Sequence, residues 1–171
     1  MSVKNKPEVW LRGPVDNIPA LLQPVAHALM QAREEVIELM IGFPQQHLWE
    51  KPAGLASVGF HLQHLRGVID RLFTYANGDF LSEEQLNALR AEGIIRDIPV
   101  QNLVDAFSIQ VEKALDYLSN VHDHTLTEKR GVGRSQVPST VLGLLFHAAE
   151  HTQRHVGQLL VTARVVSESQ P

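Results

Sequence analysis

Apolar residues that return every three or four positions in four long segments constrain the fold of this chain most tightly. Side chains three and four apart lie on one face of an α-helix, so each segment predicts a helix with one buried stripe. In the first segment the stripe holds Leu21, Leu22, Val25, Leu29, Ala32, Val36 and Leu39. Four amphipathic helices of about 20 to 25 residues predict an all-α four-helix bundle. We place these helices at residues 17–41, 55–76, 100–120 and 139–166.

Capping residues and prolines indicate where these helices begin. Pro24 should kink the first helix or delay its regular start, because proline has no N–H to donate. Ser57 is the expected N-cap of the second helix, and Pro138 opens the fourth. Ser82 with Gln85 forms a capping box for one short helix between the second and third. The inward positions of the third helix are Leu103, Phe107, Val111, Ala114 and Leu118.

The connections between the helices are long. Residues 42–54, 77–99 and 121–138 each have room to cross the bundle or to cover one end of it. Runs of valine and isoleucine are few, and no Asn-Gly turn joins two alternating segments, so we expect no sheet. We interpret EKRGVGRS at 128–135 as a solvated loop, because it lacks the pattern of a phosphate-binding loop.

Composition restricts the class of protein and of partner. The 171 residues suit one domain over 1–171, with an N-terminal arm at 1–14 and a tail at 167–171. There is no cysteine, which removes thiolate ligands and cysteine nucleophiles and is typical of a cytoplasmic protein. The formal net charge is −4, so we expect no nucleic-acid partner. No apolar run is long enough for a membrane span and the first residues do not resemble a secretory signal.

Histidines lie on the inward lines of two predicted helices. The stretch HAAEHTQRHVGQ, residues 147–158, carries His147, His151 and His155 at four-residue steps. Such steps return a side chain to nearly the same helix face. On the second helix, His64 lies in line with buried positions, and His61 is one turn earlier. Two helices therefore direct imidazoles toward the core of the bundle.

Several buried imidazoles without partners would be unfavourable, at about 1–3 kcal/mol for each unsatisfied group. A divalent metal removes this cost, because neutral imidazole binds zinc at about 2.0–2.1 Å and three ligands leave a coordination position open. From the residues alone, two interpretations of His64, His151 and His155 stay open: a metal site, or core histidines bonded to carbonyls or water. The other histidines, predicted at the surface or in loops, are His27, His47, His122 and His124.

The motifs FHAAEHTQRHVGQ and SVGFHLQHLRGVIDRL resemble the DinB-like superfamily of bacterial four-helix-bundle metalloproteins. The resemblance covers nearly the whole chain. It implies a DinB-type bundle with long crossover connections that often forms a homodimer. It also implies one metal ligand on the second helix in an L-x-H-L context, here His64, and two at H-x-x-x-H on the fourth, here His151 and His155. The usual metal in such proteins is zinc or nickel, with iron and manganese as alternatives.

The resemblance leaves the reaction open. Some relatives transfer low-molecular-weight thiols such as bacillithiol, mycothiol or glutathione, and others isomerise maleylpyruvate. Thr152 follows His151 where a zincin peptidase would carry the glutamate of H-E-x-x-H. Gly157 stands where related sulfoxide synthases carry a glutamate. Both departures argue against those two activities.

Our hypothesis from the sequence is a metal-dependent enzyme acting on a small molecule. No residue is assigned as catalytic: the nucleophile would be a metal-bound water or a thiolate from a cosubstrate. Candidates for orienting the ligands or touching substrate are His61, His147 and Gln158. The alternatives are a metal-dependent hydrolase, or a non-catalytic metal-binding module for stress response or interaction.

Glycines inside the second and fourth helices indicate close packing. Each costs roughly 1 kcal/mol relative to alanine in a helix interior. Close helix approach at the metal or across a dimer interface would offset this cost. We therefore expect the second and fourth helices to be neighbours. The glycines are Gly59, Gly67, Gly143 and Gly157.

Overall fold

The computed structural model describes residues 6–168 and is mostly helical. The predicted arm and tail lie partly outside this range, at residues 1–5 and 169–171. The helices are α1 (Gln23–Met40), α2 (Val58–Ala76), α3 (Glu83–Arg90), α4 (Val100–Ser119) and α5 (Val141–Glu168). The strands are β1 (Lys129–Val132) and β2 (Val137–Thr140). The predicted all-α bundle is therefore confirmed.

The four long helices form a ring around one core. α2 packs most extensively on α5, and it also packs on α4, while α1 contacts both α4 and α5. Helices α1 and α2 are thus diagonally opposed, as are α4 and α5. The connections α1–α2 and α4–α5 must therefore cross the bundle, as their lengths predicted. The expectation that α2 and α5 are neighbours is confirmed.

Local sequence signals set the helix starts. Ser57 caps α2, with its side chain accepting from the N–H of Phe60 at 3.1 Å. Ser82 and Gln85 form the predicted capping box of α3. Pro24 lies in the first turn of α1, so the regular helix begins later than the predicted residue 17. A short 3-10 turn precedes it, and Leu21 there is 61% exposed, which corrects its assignment to the buried stripe.

The expectation of no sheet is wrong for the segment before α5. β1 and β2 pair antiparallel from Lys129 opposite Thr140 to Val132 opposite Val137. EKRGVGRS is therefore half of a hairpin instead of a free loop, and α5 begins after it. The strand sequences KRGV and VPST do not alternate apolar and polar residues, so they lack the signal of a half-buried strand. The turn between the strands has Gly133 and Gln136 at positive φ. It contains no Asn-Gly pair from which a hairpin could have been predicted.

Three of the four histidines assigned to surface or loop are not buried, and the fourth lies in a connection, as predicted, but is buried. His122 and His124 are exposed, and His27 is partly exposed. His47 lies in the 3-10 turn at Gln45–His47 between α1 and α2, and it is only 4% exposed. There its Nδ1 lies 2.7 Å from Oε1 of Glu50. A short turn has no periodicity from which this burial could be predicted.

The predicted inward face of the third helix is confirmed by burial. All five inward positions of the third predicted helix are buried in α4. The part of the N-terminal arm that is described packs on α1, where Val9 is buried and its N–H donates to Gln31 at 2.9 Å.

Within residues 6–168, no helix combines the length and apolar character that crossing a membrane requires.

Candidate metal centre

Helices α2 and α5 bring three histidines together. His64 comes from α2, and His151 and His155 come from successive turns of α5. The ring centroids of His64 and His155 are 4.3 Å apart, and those of His151 and His155 are 4.7 Å apart. One nitrogen from each ring lies within 4.8 Å of the other two. All three side chains are partly buried, so this triad could bind a metal ion.

The hydrogen bonds of His64 define which of its nitrogens is free. Its Nδ1 lies 2.7 Å from Oε2 of Glu92, and its Nε2 lies 3.0 Å from Nε2 of His151. An ionised carboxylate only accepts hydrogen bonds, so Nδ1 must carry the proton. Neutral His64 then has its lone pair on Nε2, which faces His151. Two nitrogens that bind one ion at about 2.0–2.1 Å also lie about 3 Å apart, so the spacing is compatible with shared ligation.

His61 stands in a similar relation to His155. Their Nδ1 atoms are 3.1 Å apart, and His61 is only 3% exposed. If Nδ1 of His155 carries the proton and donates it to Nδ1 of His61, the lone pair on Nε2 of His155 is left to bind a metal ion. The predicted orienting role of His61 is compatible with this contact. In contrast, Nδ1 of His151 is buried and has no hydrogen-bond partner among the described residues.

Burial favours the neutral form of His61, His151 and His155. It lowers the pKa of His61 to about 4 and that of His155 to about 4, with a further contribution from the neighbouring His64. The pKa of His151 is lowered for the same reasons, burial first. At neutral pH these three rings therefore keep a lone pair. A set of imidazole nitrogen donors suits zinc or another late first-row divalent metal, so the residues present fit such an ion.

Glu92 is a residue of this site that the sequence did not reveal. It lies between α3 and α4, and its carboxylate also accepts from Nη1 of Arg71 at 2.6 Å. Burial alone would raise the pKa of Glu92, but the hydrogen bonds from His64 and Arg71 and the charge of Arg71 lower it overall. One signal was present: Arg71 lies on the same face of α2 as His64, and a buried guanidinium needs an acidic partner. The sequence does not say which acid provides it.

The other two predicted candidates lie toward solvent. The His147 side chain is 49% exposed, its Nδ1 is 2.8 Å from Oε1 of Glu150, and its ring centroid is 5.3 Å from that of His151. His147, Glu150 and His151 thus form a second group that could hold a metal. Gln158 is exposed, and its side chain makes no hydrogen bond within residues 6–168.

Close approach at the histidine site, one of the two roles expected for the helical glycines, applies to one of them, and the role in a dimer interface stays a prediction. A Cβ at Gly59 would strike the ring of Trp49, which belongs to the α1–α2 connection. A Cβ at Gly67 would strike the Glu92–Arg71 ion pair, and one at Gly143 would meet two hydroxyls of the preceding turn. Nothing lies within 4 Å of a Cβ at Gly157. Of the four, only Gly67 makes room for a group that contacts the histidine triad.

Comparisons with known proteins agree with this architecture. A sequence model of the DinB superfamily matches residues 24–159, which include all three histidines of the triad. The chain also resembles a solved structure described as the conserved protein of a locus from Enterococcus faecalis, with a TM-score of 0.69 and 20% identity. That similarity covers 85% of this chain and 96% of the other, and at this identity it shows the fold alone. No curated protein matches the chain.

Proposed function

Because this chain belongs to the DinB superfamily, we propose that it is a metal-dependent enzyme whose metal ligands are His64, His151 and His155. The observation that carries the proposal is the 3.0 Å approach of two imidazole nitrogens, with a proton of His64 held on its far side by Glu92. The lowered pKa of His151 and of His155 supports it, because protons do not compete for the ligand nitrogens at neutral pH.

The proposed reaction joins a small nucleophile to a small electrophile. A zinc or nickel ion, or alternatively iron or manganese, would lower the pKa of a bound thiol or water and so supply a nucleophile near neutral pH. In thiol transfer, a bond would form between the thiol sulfur and the electrophilic carbon while the bond from that carbon to its leaving group breaks. The leaving group takes that electron pair, and the thiol proton goes to the leaving group or to solvent. The cysteine-free chain would draw the sulfur from a cytoplasmic low-molecular-weight thiol.

The chain's own residues would bind and orient the reactants. Solvent reaches the triad, since the His64 side chain is 16% exposed, so a small molecule can approach it. Buried His61 on one side and Glu92 on the other restrict the rotation of the ligand rings. Exposed His147 and Arg154 lie on the same helix as two of the ligands and are available to contact a polar or anionic substrate.

Metal content tests the first half of the proposal. We expect about one transition metal per chain in untagged protein measured by elemental mass spectrometry, and its loss in His64→Ala and His151→Ala. His147→Ala is the matched control, because it removes a histidine from the second candidate group while leaving the triad intact. Loss in His151→Ala and His147→Ala, with retention in His64→Ala, would assign the metal to the exposed group and refute the triad.

Turnover tests the second half. The metal-loaded protein is assayed with a panel of electrophiles, with and without glutathione-type thiols, beside a chelated sample. Thiol-dependent, chelator-sensitive turnover is the expected result. Turnover without thiol would identify the alternative, a metal-dependent hydrolase. Bound metal with no turnover in either assay would leave the non-catalytic binding module and refute the enzyme.

We also propose that the chain forms a homodimer, as its family resemblance implies. A groove of about 550 Å³ between the end of α1 and the last turns of α5 exposes apolar side chains, including Ile41 and Leu160. Burial of such a surface against a second copy would be favourable. Sedimentation velocity should give a dimer that Leu160→Glu weakens, and a monomer at all concentrations would refute the proposal.

A further inference from the structure

We infer that Glu92 is a positioning residue for the metal ligand His64. It would hold the His64 ring in one orientation with its proton on Nδ1, so that Nε2 presents a lone pair to the ion. This inference rests on the proposed function, because it concerns the same site. It adds a residue from outside the helices that supply the three ligands, 28 positions along the chain from His64.

The geometry around the carboxylate is restrictive. The Glu92 side chain is only 8% exposed, and each of its oxygens has its own partner: Oε2 accepts from His64 at 2.7 Å and Oε1 accepts from Arg71 at 2.6 Å. Charge-assisted hydrogen bonds of this kind are short and roughly twice as strong as neutral ones. The bond from Arg71 therefore fixes the carboxylate that in turn fixes His64.

The surrounding backbone holds Glu92 in place. The N–H of Gly93 donates to Oε1 of Gln63 at 2.8 Å, which ties the segment to α2 next to His64. Phe60 stacks on the His64 ring, with centroids 5.3 Å apart and planes inclined by 11°. Gly67 leaves the space that the Glu92–Arg71 pair occupies. One face of α2 thus supplies four parts of the site: the proposed ligand, its aromatic stacking partner, the space for the ion pair and the guanidinium. These are His64, Phe60, Gly67 and Arg71.

A second carboxylate in the chain has the same kind of bonds away from the histidines. Oε1 of Glu34 on α1 accepts from Nη1 of Arg12 at 2.7 Å, and Oε2 accepts from Nη2 of Arg12 at 2.7 Å. The Glu34 side chain is 30% exposed, and Glu34 belongs to neither of the groups that could hold a metal. Removing the Glu34 charge therefore makes the same chemical change away from the proposed site. This provides a matched control.

The experiment compares zinc affinity among wild type, Glu92→Gln, Glu92→Ala and Glu34→Gln, by competition with a chromophoric chelator. Loss of such an outer partner typically weakens metal binding by about 10- to 100-fold. We expect a loss in this range for Glu92→Ala, a smaller loss for Glu92→Gln, which keeps an acceptor, and none for Glu34→Gln. Far-UV circular dichroism checks folding, and if Glu92→Ala does not fold, Glu92→Gln decides.

A second readout needs no metal. Nitrogen-15 NMR of the metal-free protein reports which nitrogen of His64 carries the proton. The inference predicts the proton on Nδ1 in the wild type and a shift toward Nε2 in Glu92→Ala. Such a change of tautomer is not expected from a merely loosened fold.

Each contrary outcome has a separate meaning. Wild-type affinity in both Glu92 variants, or equal losses in Glu92→Gln and Glu34→Gln, would overturn the role of Glu92 and leave the proposed metal site standing. An unchanged His64 tautomer in folded Glu92→Ala would also overturn that role. A wild type that binds no zinc would refute the proposed function and this inference together.

Discussion

Replacing Gly67 by alanine should destabilise the protein, whereas the same change at Gly157 should stabilise it. Both glycines lie inside helices, so each substitution gains up to about 1 kcal/mol from helix propensity. A Cβ at Gly157 meets nothing within 4 Å. A Cβ at Gly67 would collide with Oε1 of Glu92 and lie 2.5 Å from Nη1 of Arg71.

The expected magnitude follows from what must move. The ion pair beside Gly67 is buried, and a hydrogen bond to a charged group contributes about 1.5–3 kcal/mol. If one such bond is lost, Gly67→Ala lowers the free energy of unfolding by about 0.5–2 kcal/mol after the gain in helix propensity. Gly157→Ala raises it by about 0.5–1 kcal/mol, so the two variants should differ by about 1–3 kcal/mol.

Urea unfolding followed by circular dichroism, with chelator present, measures both variants without any contribution from bound metal. Zinc affinity measured separately should fall in Gly67→Ala, because the displaced Glu92 no longer restrains His64. If Gly67→Ala is as stable as Gly157→Ala and binds zinc as the wild type does, the packing of the ion pair against α2 described above is refuted. A loss of stability in Gly157→Ala that depends on protein concentration would instead indicate that this glycine lies in a dimer interface.

Three further predictions concern pH, the core and a helix cap. Burial lowers the pKa of His61 and of His155 from 6.5 to about 4 each. As the pH falls, the unfolded chain therefore protonates these histidines at a higher pH than the folded chain does. The free energy of unfolding of metal-free protein should therefore be at its plateau above pH 6.5 and fall toward pH 4, by about 3 kcal/mol for His61, which is 3% exposed. A flat profile in chemical denaturation would contradict this. Phe107→Ala, at a fully buried site, should cost about 3–5 kcal/mol in urea unfolding, whereas exposed Phe146→Ala should change stability by no more than about 0.5 kcal/mol. Ser82→Ala should weaken α3 by about 1 kcal/mol, seen as faster amide exchange in that helix alone.

The parts of the fold that could be predicted from the sequence are those with a helical repeat of apolar residues or a capping residue. Leu103 and Phe107 recur at helical spacing, and both are buried in α4. Ser57 and Ser82 predicted helix starts because a cap acts on its own next three residues. These signals are local, so they survive without knowledge of the tertiary structure.

The errors come from segments too short to have a period. The hairpin has four-residue strands, and His47 lies in a three-residue turn. Both depend on contacts that the nearby sequence does not encode. For example, Nε of Arg130 in β1 donates to the carbonyl of Ala76 at the end of α2, 54 residues away.

The same distinction between helical and irregular segments separates the predicted from the unpredicted residues of the site. The approach of His64 to His151 and His155 could be predicted because all three share inward faces of long helices. Glu92 could not, because it lies in an irregular connection whose path depends on tertiary contacts such as the hydrogen bond from Trp49 to the carbonyl of Arg96. Arg71 indicated that an acid was needed, yet 19 aspartates and glutamates were available to supply it.

The separation of the proposed ligands along the chain sets the order in which the site can assemble. His64 and His151 are 87 residues apart, and α5 follows α1 to α4 in sequence. A nascent chain that has completed α1 to α4 but not α5 holds only His64 of the triad. The triad is therefore complete only once α5 has been synthesised and has docked between α1 and α2, which closes the ring. Cleavage before α5 would separate His64 from both of the other histidines of the triad.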